Sequence, residues 1–260
     1  MIGLGFRREM LGWDMSAVAA DFFEVAPENW LRRDRAPLHR LLAQGCAVHL
    51  HGVSLNLGGL APLDMDFVRS VRALMDELGA PHYSDHLAAT GDAWQLYDLF
   101  PVPLTEVHAR RVADRVARVQ DVLGRPMAVE NTTWYTNVGE MDEADFLMDV
   151  VRRAGCGLLL DVNNLSVNHK NHGCGVPQDF VQRMDRQRVT YVHVAGHEWD
   201  ARLGLFMDTH SAPVEACTRA LAQQLQRDWG VPLLLEWDND VPSMAVINEE
   251  LACLRPSLIS

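Results

Sequence analysis

The sequence predicts an α/β fold: a closed (β/α)8 TIM barrel, with residues 1–260 forming one domain. Three observations predict it. Eight short apolar or alternating runs recur along the chain, separated by segments with helical periodicity. Eight such units in about 250 residues is the usual size of a (β/α)8 barrel. Nearly every run ends on an acid, an amide or a histidine, as expected where strand ends converge on one mouth.

The runs are "IGLGF" (2–6), "DFFEVA" (21–26), "AVHLHG" (47–52), "PHYSDH" (81–86), "PMAVEN" (126–131), "GLLLDVN" (157–163), "TYVHVAG" (190–196) and "PLLLEWD" (232–238). Between them, "DMDFVRSVRALMDELG" (64–79) and "TEVHARRVADRVARVQDVLG" (105–124) repeat apolar residues at three- and four-residue steps and close on glycine. Asp142 is placed to cap a further helix through "EADFLMDVVRRAG". An open doubly wound sheet is the alternative. It usually carries a glycine-rich phosphate turn after its first strand, and "GLGFRRE" matches GxGxxG poorly.

Composition narrows the function. The chain is 48% hydrophobic and 22% charged, without a linker, repeat or low-complexity block, so a large packed core is expected. Its net charge is −12, from 35 acids against 23 bases, and Lys170 is the only lysine. That balance argues against nucleic acid as a partner. No apolar run reaches the 18–20 residues or so that a membrane span needs, and the start lacks a secretory signal. Five scattered cysteines (Cys46, Cys156, Cys174, Cys217 and Cys253) show no CxxC spacing. Neither a disulfide framework nor a thiolate zinc site is expected, and a reducing cytoplasm is the expected location.

The strand-end residues are Glu24 and Glu28, His49 and His51, Asp85 and His86, Glu130, Asp161 and Asn163, His193 and His197, and Glu236 and Asp238. Strand parity orders them. His49 and His51 share a face, with Val48 and Leu50 opposite. Likewise His193 lies between Val192 and Val194, Asp161 lies between Leu160 and Val162, and Glu130 and Glu236 follow Val129 and Leu235. The polar side chains therefore fall inside the barrel and their apolar neighbours face the helices. A lone strand-end histidine or carboxylate is ordinarily a structural hydrogen-bonding group or a cap. Six strand ends converging by one parity call for another reason, because several carboxylates in one mouth repel each other unless cations neutralise them. Imidazoles mixed with carboxylates, without thiolate, suit zinc, iron or manganese. The loop "FMDTHSAP" adds Asp208 and His210, a pair able to face one ion.

These residues resemble two related groups. The order His51, His86, Glu130, Asp161, His193, Asp208 with His210, and Glu236 is similar to the trinuclear barrels of endonuclease IV and its xylose-isomerase-like relatives. The closer resemblance is to the multinuclear non-heme iron-dependent oxidative enzymes, the relatives of the methanobactin-biosynthesis iron enzyme and the thiaglutamate-pathway enzyme. It rests on "DFFEVAPENW", "HLHGVSLNLG", "SDHLA", "AVENTTWY", "CGLLLDVNNLSVNHKNHG", "VHVAGH", "DTHSAPV" and "LLLEWDND", together spanning about residues 20 to 242. Cys174 stands where the resemblance leads us to expect an aromatic, and the segment 91–105 is compact.

The resemblance implies a xylose-isomerase-like barrel and a metal set of His51, His86, Glu130, Asp161, Asn164, His193, His197, Asp208, His210 and Glu236. Asn163 is the alternative to Asn164, and His49 the alternative to His51. Glu130, Asp161, His193 and His172 are expected to be catalytic. His169 and His172 are placed on a loop over the mouth, with a purely structural loop role as the alternative. Asp85, of opposite parity to His86, is expected to be a structural group or to support the ligands. The implied cofactor is iron, two to three per chain in mixed Fe(II)/Fe(III) states, with O2 as co-substrate. The implied reaction is oxidation at a cysteine of a ribosomally made precursor peptide. A small leader-binding protein is the implied partner, since a closed barrel offers no sheet edge for adding a peptide strand.

Three rivals use the same residues. One is a zinc-dependent endonuclease IV-like phosphodiesterase, disfavoured by the net charge. Another is a divalent-metal sugar isomerase or epimerase, which would need a base near a sugar carbon. The third is a non-catalytic metal-binding barrel, which would leave no open coordination position.

Overall fold

The structure is a computed structural model, and it describes residues 1–92, 95–136, 139–173 and 175–255. Cys174 lies outside the described residues. Eight parallel strands close into a barrel: β1 (Ile2–Gly5), β2 (Phe22–Val25), β3 (Ala47–Gly52), β4 (Tyr83–His86), β5 (Ala128–Glu130), β6 (Gly157–Asp161), β7 (Val189–Val194) and β8 (Leu233–Leu235). Each strand pairs with its neighbours in sequence, and β1 closes on β8 through Ile2 opposite Leu233. All eight expected strands are present.

The helices are α1 (Ala36–Ala43), α2 (Met65–Leu78), α3 (Glu106–Leu123), α4 (Glu143–Ala154), α5 (Val162–His172), α6 (Pro177–Gln182), α7 (Ala216–Trp229) and α8 (Met244–Leu254). The caps follow the sequence. The Asp64 side chain accepts from the amides of Asp66 and Phe67, and the Asp142 side chain accepts from that of Ala144. Gly79 and Gly124 end α2 and α3 in the left-handed conformation. Between β1 and β2 the connection is two short 3-10 turns, 8–12 and 15–17, in place of a helix.

Two departures from expectation matter for function. The chain leaves β6 directly into α5, because the Asp161 carboxylate accepts from the Asn164 amide at 2.6 Å and starts the helix one residue after the strand. His169, Lys170 and His172 therefore ride the last turn of α5, not a loop. Second, two antiparallel hairpins, 89–100 and 198–207, form separate two-stranded sheets. The barrel itself has no edge, but these ribbons do.

Parity inside the barrel is as the alternation requires. Phe22, Ala128, Leu159, Tyr191 and Leu234 form a small inner cluster. Val48, Leu50, Val129, Leu158, Leu160, Val192, Val194 and Leu235 join the large outer core beneath the helices. Two residues beyond the inner cluster, on the same face of each strand, stand Glu24, Glu130, Asp161, His193 and Glu236. The apolar layer is the floor on which the polar layer rests.

Candidate metal centre

Register brings these side chains together. Asp161 is opposite His193, and His86 is opposite Glu130. Three groups of candidate ligand atoms result, each with its atoms within 4.8 Å of one another. They are His51, His86 and Glu130; Glu130, Asp161, His193 and Glu236; and His210, Glu236 and Asp238. Glu130 belongs to the first and second groups and Glu236 to the second and third, so each of these two carboxylates is common to two groups.

In the first group, His51 Nε2 lies 3.0 Å and His86 Nε2 3.3 Å from Glu130 Oε2, and the two nitrogens are 3.4 Å apart. His86 Nδ1 is 3.1 Å from the Gly52 carbonyl, which can only accept, so that nitrogen carries the proton. Nε2 of the neutral ring is then a lone pair aimed at another acceptor. Such a cluster needs a positive charge at its centre. Buried Asp161 Oδ2 and Glu24 Oε1 receive no hydrogen bond, which adds two more unsatisfied acceptors. The donor set thus fits bound cations, with imidazole and carboxylate ligands of the kind that accept zinc, iron or manganese.

Electrostatics point the same way. Burial works against protonating His51, yet Glu130 and Glu24 override it and raise the ring to about 9. Burial also opposes a charge on His193, but Glu236, Glu24 and Glu130 hold it well above its ordinary value. Asp161 is pushed far up by burial, with Glu130 and Asp208 adding repulsion. Without ions, the cluster gathers protons where it would gather metal.

The third group joins His210, on the loop after β7, to Glu236 and Asp238, just past β8. His210 has φ +48°, in the left-handed region, where a side chain costs energy. Its Nε2 is 2.8 Å from Asp208 Oδ1, and its Nδ1 is 3.0 Å from Asp238 Oδ2. Arg7, just past β1, donates to Asp238 Oδ1 at 2.5 Å and to Glu236 Oε1 at 3.2 Å. Gly196 is required here, because a Cβ at that position would lie 2.0 Å from the Ala212 carbonyl oxygen.

The expected amides behave differently from one another. Asn164 Oδ1 accepts from Thr133 Oγ1 at 2.7 Å, and its Nδ2 donates to the Asn131 carbonyl at 3.0 Å. Asn168, one turn on, holds the Trp134 amide and the Thr132 carbonyl, so this face of α5 pins the 131–134 loop. Asn163 instead donates to Asp208 Oδ1 at 2.6 Å and faces His197 Nδ1 at 2.7 Å. His197 Nε2 is 2.7 Å from Lys170 Nζ, so both of its nitrogens are engaged.

His172 stacks on Trp134 at 3.9 Å between ring centroids, and its Nε2 lies 2.8 Å from the Trp134 carbonyl oxygen. His51 is at the ligand level, whereas His49 is a layer lower, stacked on Phe22. Asp85 turns outward to the Tyr83 hydroxyl and the Leu55 amide. Sequence reasoning left Glu24, Asp238 and Arg7 out of the site. Glu24 and Asp238 were visible as strand-end acids, but their partners lie far away in sequence. The groups open into a cavity of about 630 Å³ walled by Phe6, Leu11, Trp30, Arg8 and Arg33 among others.

Comparison with known proteins agrees with this architecture. A UPF0276 protein of Acinetobacter baylyi is 40% identical over 259 residues, covering 98% of this chain and 90% of its own. Among solved structures, the 3-keto-D-glucoside 4-epimerase YcjR of E. coli superposes with TM-score 0.65 at 12% identity, covering 97% of this chain and 98% of its own. A xylose isomerase domain protein of Salmonella typhimurium gives TM-score 0.65 at 16% identity, covering 96% of this chain and 94% of its own. These two likenesses establish a xylose-isomerase-like barrel and nothing about substrate. The profile of the RiPP precursor modification enzymes MbnB/TglH/ChrH, which act on ribosomally made peptides, matches residues 1–258, and the chain belongs to that family.

Proposed function

We propose that this enzyme, working as one domain, oxidises a cysteine residue of a ribosomally made precursor peptide. In this reading it uses two to three irons in mixed Fe(II)/Fe(III) states and O2. A small leader-binding protein delivers the peptide, and the reaction takes place in the cytoplasm. The observation that carries the reading is the run of three adjoining ligand groups that share Glu130 and Glu236 at the base of an open cavity. A site meant only to store metal would close over its ions. Here the ligand groups line a cavity of about 630 Å³, the size of an ordinary ligand-binding site.

Bound iron would supply the electron exchange with O2 and a binding position for the thiolate. The protein's part is to hold that chemistry in place. His51, His86 and Glu130 would fix one ion, and Asp161, His193, Glu130 and Glu236 a second. His210, Asp238 and Glu236, with Asp208 at hand, would fix a third. Arg7 neutralises the outer carboxylates and keeps them aimed inward. Phe6, Leu11 and Trp30 offer the peptide an apolar wall. Among the described residues no helix is long and apolar enough to cross a membrane, and Cys46, Cys156, Cys217 and Cys253 are free thiols, in keeping with a reducing compartment.

The test is elemental analysis of protein expressed with iron and purified without chelator, followed by incubation with a cysteine-containing precursor peptide in air and under nitrogen. Two to three irons per chain and an O2-dependent mass change support the proposal. A full complement of zinc that persists despite iron supplementation would sink it in favour of a hydrolytic enzyme.

A further inference from the structure

Four side chains form a continuous buried chain that runs from the ligand layer down through the layer beneath it and back. Tyr191 Oη donates to Glu24 Oε2 at 2.5 Å. Ser84 Oγ lies 3.2 Å from Tyr191 Oη, and His51 Nδ1 lies 2.8 Å from Ser84 Oγ. Glu24, Ser84 and Tyr191 are each no more than 1% exposed. Donor counting gives every bond a direction. Tyr191 has one proton, and it goes to the carboxylate. Toward Ser84 the phenol oxygen can then only accept, so the serine hydroxyl donates to it. Toward His51 the serine oxygen in turn can only accept, so His51 Nδ1 carries a proton. When a metal ion takes the place of the second proton, Nε2 would be the nitrogen that faces His86 and Glu130.

The same carboxylate oxygen has a second partner. Glu24 Oε2 is 3.1 Å from His193 Nε2, which must donate to it. His193 Nδ1 is then the atom facing Glu130 Oε1 at 3.0 Å and Glu236 Oε2 at 3.1 Å. Two histidines in two adjoining ligand groups thus present opposite ring nitrogens, and both choices trace to one acid.

We propose that Glu24 is a shared positioning residue: it fixes the ring orientation and tautomer of His193 directly and of His51 through Tyr191 and Ser84, and so tunes two ion sites together. The inference rests on the reading that the cluster holds metal ions. It adds that the two sites are coupled through Glu24 as well as through Glu130, which belongs to both ligand groups. Outer groups that orient a ligating imidazole typically govern metal affinity by roughly 10- to 100-fold.

Zinc serves as a diamagnetic probe that this donor set accepts. Zinc affinities are measured by chelator competition for the full chain and for Ser84→Ala, Tyr191→Phe, Glu24→Leu and Glu24→Gln, with circular dichroism to confirm folding. Ser84→Ala and Tyr191→Phe are expected to weaken one zinc about tenfold or more and spare the others. Glu24→Leu is expected to weaken two. Glu24→Gln, which keeps an oxygen acceptor, is expected to recover part of that loss. In nitrogen-15 spectra of the zinc-loaded protein, the His51 Nδ1–H signal should shift in Ser84→Ala and Tyr191→Phe while the His193 Nε2–H signal stays. Wild-type zinc affinities and an unmoved His51 signal in both milder variants would overturn the proposal, and those two decide the His51 branch even if Glu24→Leu does not fold. A wild-type chain that binds no ion would overturn the metal reading and this inference together, so the two failures are distinguishable.

Discussion

Lys170 Nζ lies 2.7 Å from His197 Nε2 and within 2.6 Å of both carboxylate oxygens of Glu215, so the only lysine of the chain clamps the far side of the site. Direction follows from Asn163, whose Nδ2 donates to Asp208 and whose Oδ1 therefore faces a protonated His197 Nδ1. His197 then has only Nε2 left to accept, and Lys170 supplies the proton. We therefore predict that His197→Gln leaves the number of bound ions unchanged. Loss of a whole ion in elemental analysis would return His197 to the ligand set. Lys170→Met should cost about 1–2 kcal/mol in urea unfolding, since a charged hydrogen-bond network is lost at a partly exposed position.

Glu130 serves two ligand groups, so Glu130→Ala should lower the ion content by more than one ion, while Asp161→Ala should chiefly empty the central group. Both barrels should remain folded, because neither side chain belongs to the apolar clusters, although Asp161→Ala also gives up the α5 cap at a cost of about 0.5–2 kcal/mol. Elemental analysis beside circular dichroism checks this. A metal-replete, fully active Glu130→Ala protein would defeat the assignment.

Removing metal should destabilise the fold, because ions bind the native cluster and not the scattered ligands of the unfolded chain. At free metal about a thousandfold above the dissociation constant, the linkage is worth about 4 kcal/mol. For a chain of this size that corresponds to roughly 8–16 °C in melting temperature. Thermal melts with and without chelator give the answer, and coincident curves would count against a native metal centre.

Gly196→Ala should act on the loop that carries Asp208 and His210, because the new methyl group would collide with the Ala212 carbonyl. The expected cost is about 1–3 kcal/mol of stability. The ion held by His210, Glu236 and Asp238 should weaken at least about tenfold, with the other groups intact. Unchanged ion content would show that the loop can shift without disturbing its ligands.

Glu143, away from the cluster, gives a pH prediction. Burial raises its carboxyl to about 7, although the Trp134 indole N–H donates to it. Between about pH 4.5 and 7 the folded chain keeps a proton that the unfolded chain has lost, so stability from this group falls as pH rises and the penalty is complete above 7. Glu143→Gln removes the penalty. It should match wild type near pH 4.5 and exceed it at pH 8 by about 1–3 kcal/mol. Equal stability at pH 8 would refute the shift.

Much of the barrel was legible because strand parity is a strong constraint. His49 with His51, and His193 between two valines, already separate the inner face from the outer one. What was not legible depends on partners distant in sequence. Asp238 reads only as one more strand-end acid until Arg7 is seen 231 positions away, and the role of Glu24 needs both Tyr191 and Ser84. The start of α5 was hidden because "VNNLSVNH" buries amides and lacks an apolar stripe; its cap, Asp161, is also a candidate ligand. The hairpins 89–100 and 198–207 were concealed within loops, although each supplies an edge that a peptide strand could join.

The grip of Arg7 on Glu236 and Asp238 also has a temporal meaning. The residue just beyond the first strand and those just beyond the last are both needed to finish the site, and the seam that joins them brings together positions 229 and 231 apart in sequence. During synthesis Glu236 and Asp238 emerge last, so the second and third groups cannot be complete on the growing chain, whereas His51, His86 and Glu130 all precede residue 131. Any ion held by the second or third group would therefore be loaded only once the barrel has closed.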